Sequence, residues 1–480
     1  MRRQDEILLL RLAPLVAGRP NTLGWDALRT EQVCLLARSA AHRMDTPSLT
    51  PASDRKPHVF YGWRLVALSG FIMMLAHVPL FHAMGVWAVA LEREFGWSRT
   101  QLGLALTFTR IEGGLMGPVE GYLTDRLGTR RMVLMGLFFL ATGFLLLSQV
   151  DGLWMFYTAY VVMAVGQGFG GWLPLMTMLN HWFVRRRASA IGWANVGSRL
   201  GALFLVPAIA WAIDPDYERL GWRMTALLLA AFTLVVAVPL TRLIRDRPQD
   251  YDLLPDGGPI RQTDETRSAQ RSAVSQPISP VSSPDLTAAQ ALRTPAFWLI
   301  SFGHGFTSMV LLAIMAHLGL LMEDAGFSVQ TTALLVSVYT AVSMVFQLVG
   351  GYVGDRMPKR IALFIFSTLQ GAGVVVLTFS TSTPMLFLFA VLFGIGFGGR
   401  NPLTVAIRGD YFGQTSFGRI LGLSTVPMNI LMLVAPPFAG WMRDVRGDYI
   451  LAFWVLAVCS FLGGLCFLFA KNPRPAPPAQ

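Results

Sequence analysis

Ionisable side chains interrupt stretches of this sequence that are otherwise apolar enough to lie in lipid. The segment "TRIEGGLMGP", residues 109–118, places Arg110 and Glu112 in the middle of one such stretch. Two further stretches carry Arg199 and Arg400, and another carries His304. A charged side chain costs roughly 2.5–3.5 kcal/mol at the centre of an inserted helix, so these groups are candidates for function.

The charges in this set are mainly positive, since three arginines stand against one glutamate. A planar guanidinium can hold a carboxylate through two parallel hydrogen bonds. The set therefore predicts a cavity that binds a small organic anion. Glu112 suggests proton coupling as well, because a buried carboxylate can take up a proton and a nearby arginine can favour its release.

Helix geometry limits which of these groups can share a cavity. Residues two apart point in directions about 200° apart, so Arg110 and Glu112 cannot both face one cavity. Asn195 and Arg199 share one face of their helix, which makes both candidates for contact with substrate. The alternative for every charge is an internal salt bridge, for example between Glu112 and Arg199, that fixes helix packing without touching substrate. For His304, substrate binding and proton transfer both stay open.

The composition indicates the elements that position these groups. The chain has 480 residues, of which 53% are hydrophobic and only 14% charged, with a mean hydropathy of +0.50. Apolar runs of about 20 residues, long enough to cross a bilayer, recur along it. We therefore expect an all-α polytopic membrane protein. The predicted spans are 64–91, 102–123, 132–149, 153–180, 188–212, 223–243, 296–322, 331–353, 361–379, 383–407, 420–442 and 448–470.

These twelve spans fall into two six-helix halves, 58–245 and 295–471, with a polar segment between them. That segment, 246–294, is rich in Pro, Ser, Gln and charge, so it is expected to be a flexible cytoplasmic linker. The segment "LTAAQALRTPAFW" at 286–298 is compatible with a short interfacial helix that leads from the linker into the second half. Tails of 1–57 and 472–480 complete the chain.

The N-terminal tail does not resemble a signal peptide. Its segment "EILLLRLAPLVAG" is too short and interrupted to span a membrane. It is either an interfacial amphipathic helix or, as we prefer, a stretch preceding natural translation from Met44, so that residues 1–43 are not part of the native protein.

The net charge of +11 reports membrane topology rather than affinity for nucleic acid, because the basic residues gather in alternate connections. The positive-inside rule makes those connections cytoplasmic and places both termini in the cytoplasm. We expect a multi-pass protein of a bacterial-type cytoplasmic membrane that functions as a monomer in the lipid bilayer.

The two halves repeat each other at an offset of 230 residues. "GYLTDRLGTRR" at 121–131 aligns with "GYVGDRMPKRI" at 351–361, and Gly192 aligns with Gly422. Such a duplication is typical of transporters that bind substrate between their halves near the bilayer midplane.

The repeated segment resembles the loop signature of the major facilitator superfamily, G-x-x-x-D-R-x-G-x-R-R, and the resemblance covers about 64–470. It implies transport by alternating access and a cytoplasmic gate in which the motif aspartates latch one half to the other. Thr129 and Pro358 depart from the pattern. The residues that match or flank the signature are Gly121, Asp125, Arg126, Gly128, Arg130, Arg131, Gly351, Asp355, Arg356, Lys359 and Arg360.

Several of these residues have simpler interpretations. The arginines of the motif can serve only as topology anchors. Glu120, one turn before Asp125, is expected in the gate network, whereas His77 and His82 are expected to be satisfied core histidines.

The segments "YGWRLVAL" and "GVWAVALEREFGWSRTQLGLA" are similar to the monocarboxylate-porter and oxalate/formate-antiporter branch. That branch is expected to carry a cation in span 8, which is missing from "TTALLVSVYTAVSMVFQLVGG", so the substrate cannot be transferred from it. A drug or amphipathic exporter of the same fold is the main alternative, and a non-transporting receptor a distant one. The sequence contains no catalytic constellation, so we expect no enzyme activity, cofactor or metal.

Overall fold

A computed structural model describes residues 60–213, 220–251, 253–257, 285–324, 327, 329–380 and 382–473. Around Arg110 and Glu112 it describes the backbone alone. The predictions for the N-terminal tail, including translation from Met44, lie outside the described residues.

Long apolar runs of Leu, Ala, Val, Phe and Gly form the helices of both halves. Those of the first half are α1 Tyr61–His77, α2 Met84–Phe95, α3 Arg99–Leu127, α4 Thr129–Ser148, α5 Leu153–Gly170, α6 Trp172–Trp182, α7 Arg187–Ile213 and α8 Gly221–Arg242. Ser98 begins α3 as an N-cap, with its hydroxyl accepting a hydrogen bond from the amide of Gln101. Gly96, at φ +66°, ends α2 in the left-handed conformation that glycine adopts readily.

A short helix, α9 Ala288–Leu292, leads into the second half and agrees with the short helix expected there. The remaining helices are α10 Pro295–Asp324, α11 Val329–Gly354, α12 Lys359–Thr378, α13 Thr383–Phe412, α14 Phe417–Arg446 and α15 Ile450–Phe469.

Eleven helical segments of the described chain are long and apolar enough to cross a membrane. Helix α3, which carries Arg110, Glu112 and Glu120, is not among them but occupies the place of the second span. The chain is thus an integral multi-pass membrane protein with the twelve-helix, two-half architecture that its sequence predicts.

Two predicted spans are interrupted rather than continuous. Val78–His82 forms a π-helical segment between α1 and α2. Pro79 in this segment lacks the N–H group that a regular helix needs, which favours the change in winding. Span 4 divides at Gly171, whose backbone torsions of φ −99° and ψ −125° are not helical, so α6 begins as a new helix.

The ends of the linker are folded, which differs from the flexible segment that its composition predicts. Short 3-10 helices cover Pro248–Tyr251 and Pro255–Gly257. The Asp256 carboxylate accepts hydrogen bonds from the amides of Val184 and Arg185 at 3.0 and 2.8 Å. Asp285 accepts equivalent bonds ahead of α14. Carboxylates satisfy the unpaired amides that precede a helix, and this anchors both linker ends.

The halves cross closely where glycines remove side-chain bulk. A Cβ atom on Gly121 of α3 would overlap the carbonyl oxygen of Gly418 on α14. A Cβ atom on Gly351 of α11 would lie 2.8 Å from the carbonyl oxygen of Ala188 on α7. The two crossings are equivalent in the repeat, since Gly351 and Gly418 follow Gly121 and Ala188 by 230 residues. The duplication thus brings both motif loops to one face of the molecule, hereafter the basic face.

Candidate transport site

A cavity of about 410 Å³ lies between the two halves, beside the Gly121–Gly418 crossing. Its apolar wall includes Phe81, Trp172 and Met428. Its polar lining comes from both halves and consists of His77, Glu120, Gln167, His304, Ser308, Asn401, Thr425 and Asn429. The cavity therefore combines an amphipathic wall with hydrogen-bonding groups suited to a small polar solute.

His304 is the one predicted site residue that the structure places in this lining, as far as the described side chains show. It lies on α10 with 6% of its surface exposed. Its Nδ1 atom is 3.3 Å from Nη2 of Arg408 on α13. Arg408 is fully buried and also donates to the hydroxyl of Ser424 on α14, at 2.6 Å, and to the carbonyl oxygen of Thr404. A cation thus stands directly behind a cavity-lining imidazole.

Arg400 lies behind the cavity wall rather than in its lining. With 1% of its surface exposed, it donates to Oε1 of Gln370 on α12 at 2.7 Å and to the carbonyl oxygen of Thr307 on α10 at 3.0 Å. Its guanidinium also lies 5.6 Å from the ring centre of Phe397. These partners are neutral, so they do not compensate the positive charge of Arg400 inside the second half.

Arg199 lies at the α7–α11 interface and joins the halves. Its Nη1 donates to the hydroxyl of Ser343 at 2.9 Å, and its guanidinium lies 5.2 Å from the ring centre of Phe397. Asn195, one turn earlier, is buried and does not line the cavity. The side chains of Arg110 and Glu112 are outside the described part, so their predicted roles stay predictions.

Glu120 and His77 line the cavity, a position that the sequence alone did not indicate. Glu120 is 6% exposed and lines the cavity, and its expected place in the gate network stays a prediction. The pattern Gly113, Gly117, Glu120 is a signal for the lining position, because that spacing puts all three on one face of α3. His77 lines the cavity too, with its Nε2 atom 2.9 Å from Nε2 of Gln167.

The motif aspartates join the two halves at the basic face. Asp125 accepts hydrogen bonds from the amides of Gly418 and Arg419, both at 2.9 Å, and Nε of Arg419 lies 3.8 Å from its carboxylate. Asp355 accepts equivalent bonds from the amides of Ala188 and Ser189 at 2.9 and 3.0 Å.

Burial raises the pKa of Asp355, against those hydrogen bonds and the charge of Lys359, which lower it. The amide contacts place each aspartate at the N-terminus of a helix of the opposite half. The dipole of that helix favours negative charge on the carboxylate.

The other motif residues serve local contacts. Arg126 donates to the hydroxyl of Tyr122 at 3.1 Å, and the Arg356 guanidinium stacks on Tyr352 at 3.4 Å from the ring centre. Gly128 has φ +82° and packs against Asp246, whose carboxylate accepts a hydrogen bond from the amide of Arg130 at 2.8 Å. The remaining basic motif residues are Arg131, which is exposed, Arg360, which is half-buried, and Lys359, which pairs with Asp410.

A family model described as Major Facilitator Superfamily matches residues 66–320 and 297–480. Among curated proteins, the chain is 25% identical over 447 residues to Monocarboxylate transporter 12 of Rattus norvegicus, covering 87% of each chain. It is 26% identical over 444 residues to Monocarboxylate transporter 11 of Homo sapiens, covering 90% of this chain and 87% of that one.

Two crystal structures share the fold. One is FucP, a Major Facilitator Superfamily transporter, in the outward conformation, with a TM-score of 0.65 and 15% identity over 86% of this chain and all of that one. The other is a variant of the E. coli Fucose:proton symporter, FucP, with a TM-score of 0.63 and 14% identity over the same shares.

Proposed function

This chain belongs to the major facilitator superfamily of membrane transporters, and we propose that its own substrate is a small organic anion, most simply a carboxylate. Alternating access between the halves 58–245 and 295–471, joined by the linker 246–294, would carry the solute across the membrane. Both halves that line the cavity belong to one chain, which supports function as a monomer.

The observation that carries this proposal is the positive charge behind the cavity in the second half. Arg400 and Arg408 are buried, and their hydrogen-bond partners in the described chain are neutral. Charge interactions are strong where water is excluded, so two such cations favour an anion in the adjacent cavity. The names of the relatives, monocarboxylate transporters, agree with this substrate class.

We propose further that transport is coupled to protons, and that Glu120 of the first half carries the proton rather than a residue of the second half. Glu120 is a buried carboxylate on α3 that lines the cavity, so it can exchange a proton with the same compartment as the substrate. Glu112 remains a second candidate on the same helix. We place the basic face in the cytoplasm, because Arg126, Arg130 and Arg356 gather there.

The direct test is transport by the full chain in proteoliposomes, with radiolabelled monocarboxylates and dicarboxylates under an imposed pH gradient. We expect saturable uptake of at least one carboxylate, competition by unlabelled carboxylates, and no competition by the corresponding primary amides. Arg400→Gln should raise the KM for the anion about tenfold, whereas Arg400→Lys, which keeps the charge, should raise it less. Arg446→Gln, at an exposed position, is the matched control.

An amphipathic exporter is the second candidate, favoured by the aromatic and methionine wall at Phe81, Trp172, Met428 and Met432. Transport of an amphipathic cation or neutral drug by folded protein, with no carboxylate uptake and no effect of Arg400→Gln, would establish that candidate and refute anion transport.

A further inference from the structure

We propose that His304 binds the transported anion as a neutral imidazole that donates its Nε2–H, and that Arg408 is the positioning residue that fixes this state of the ring. The inference rests on the proposed anion transport and names the residue that recognises the anion.

The hydrogen bond between the two side chains has a defined direction. Nη2 of Arg408 lies 3.3 Å from Nδ1 of His304. A guanidinium has only donors, so Nδ1 must accept and cannot carry a hydrogen. The ring hydrogen of a neutral His304 therefore resides on Nε2. A doubly protonated ring would direct an N–H group at another N–H group, with two positive charges in contact.

The Arg408 side chain is held in place and cannot turn away to relieve such a clash. Its Nε donates to the hydroxyl of Ser424 on α14 at 2.6 Å, and its Nη1 donates to the carbonyl oxygen of Thr404 on its own helix. The side chain is fully buried. Three helices, α10, α13 and α14, thus meet at one guanidinium, whose remaining amino group is aimed at His304.

The orientation of the His304 ring determines which of its nitrogens faces the cavity. His304 lines the cavity whereas Arg408 does not, so Nδ1 points into the protein and the opposite edge of the ring, with Nε2, faces the cavity. An N–H donor there suits a carboxylate oxygen. Ser308, one turn later on α10, and Asn401 of α13 line the same part of the cavity and add further hydrogen-bonding groups.

The charges around His304 favour the same protonation state. Among the described residues, Arg408 and Arg400 of α13 are the cations that act on His304, and His77 and Glu120 line the same cavity from α1 and α3. Two neighbouring guanidinium groups oppose a third positive charge on the imidazole. Of the two roles that the sequence left open for His304, this arrangement supports substrate binding and assigns the proton to another group.

The test compares two amides that mimic different ring nitrogens. The amide nitrogen of glutamine reaches about as far as Nε2 of histidine, whereas that of asparagine reaches only to the place of Nδ1. We expect His304→Gln to keep the KM for the carboxylate within about threefold of wild type and His304→Asn to raise it about tenfold or more. Equal KM values for the two variants would overturn the assignment of Nε2 as the donor.

The pH profile of the KM separates this role from that of a proton carrier. Glutamine does not titrate, so His304→Gln should retain the wild-type profile between about pH 5.5 and 8. Loss of the pH dependence in His304→Gln would identify His304 as the proton carrier and refute the proposal.

The role of Arg408 is tested in the same assay. Arg408→Gln should add a new pH dependence near the usual titration range of histidine, and the Arg408→Gln/His304→Gln double variant should lose that addition. If the double variant kept the new pH dependence of the KM, Arg408 would be excluded as the residue that positions His304. If the wild type moved no carboxylate at all, the proposed function would fail, whereas carboxylate uptake with the wrong variant pattern would refute only the role of His304.

Discussion

The guanidinium of Arg187 lies 2.5 Å from the carboxylate of Asp410, and this ion pair joins α7 of the first half to α13 of the second. Lys359 approaches the other oxygen of the same carboxylate, also at 2.5 Å. The repeat supplies no counterpart, since Asn180 and Phe417 occupy the positions equivalent to Asp410 and Arg187. In the described chain, the Arg187–Asp410 ion pair therefore joins the halves at the basic face in addition to the two related aspartate contacts.

Asp410→Asn should destabilise the protein because it removes the negative charge that pairs with the guanidinium of Arg187, which is only 3% exposed. Breaking a fully buried ion pair costs about 3–5 kcal/mol, and Asp410 is 31% exposed, so we expect a smaller loss. The measurement is the midpoint of thermal unfolding in detergent. Asp444→Asn, at an exposed position on α14, is the matched control, and equal midpoints for the two variants would contradict the prediction.

The two halves are in contact at the basic face, an arrangement called the closed state below, and Gly121→Ala and Gly351→Ala should both disfavour it. Each added methyl group would meet a backbone carbonyl of the opposite half, that of Gly418 or of Ala188, and a backbone cannot yield as a flexible side chain does. We expect the closed population to fall by at least about twofold. Double electron–electron resonance between spin labels at Arg242 and Lys471, in a background without cysteines, measures this population.

The matched control for the glycine variants is Gly85→Ala, because a Cβ atom at Gly85 has no neighbour within 4 Å. An unchanged distance distribution in Gly121→Ala would mean that the α3–α14 crossing does not limit closure.

Acidification should favour the closed basic face through Asp355. In the closed state burial raises the pKa of this carboxyl, whereas solvent in an open state would return it toward its ordinary value. The state with the higher pKa binds more protons, so its share grows as the pH falls. The same spin-label distances, measured at about pH 7.5 and pH 5, provide the test. Asp355→Asn should remove the part of the pH dependence that comes from this carboxyl. A closed share that decreases with acid in wild type but not in Asp355→Asn would reverse the assigned sign.

Gln347→Met should stabilise the closed structure. The side-chain amide of Gln347 is fully buried at the α7–α11 interface, and neither its oxygen nor its nitrogen has a hydrogen-bond partner among the described residues. A buried polar group without a partner costs about 1–3 kcal/mol, which methionine of similar volume avoids. The midpoint of thermal unfolding should rise, and a fall would indicate that the amide has a polar partner in the folded protein.

The sequence indicated the cross-half contacts of the motif aspartates more fully than the cavity lining, for physical reasons, whereas the gating role of those contacts stays a prediction. Asp125, Asp355 and the glycines before them stand at fixed offsets in two copies, and the partners of each copy obey the same offset. Helix periodicity alone could not show that Arg400 faces Gln370, because that contact depends on how α10, α12 and α13 pack. The neutral surroundings of Arg408 likewise come from three separate helices.

The internal duplication extends to the contacts of the basic face but not to the charged groups beside the cavity. The crossings and aspartate contacts at the basic face are present twice, whereas His304, Arg400 and Arg408 have Met74, Gly170 and Met178 at the equivalent positions of the first half. Under the proposed function, the contacts at the basic face are symmetric, whereas the imidazole and the two guanidinium groups that favour the anion come from the second half. Substitutions at His304, Arg400 or Arg408 should therefore alter the anion preference of the proposed transporter without touching either crossing at the basic face.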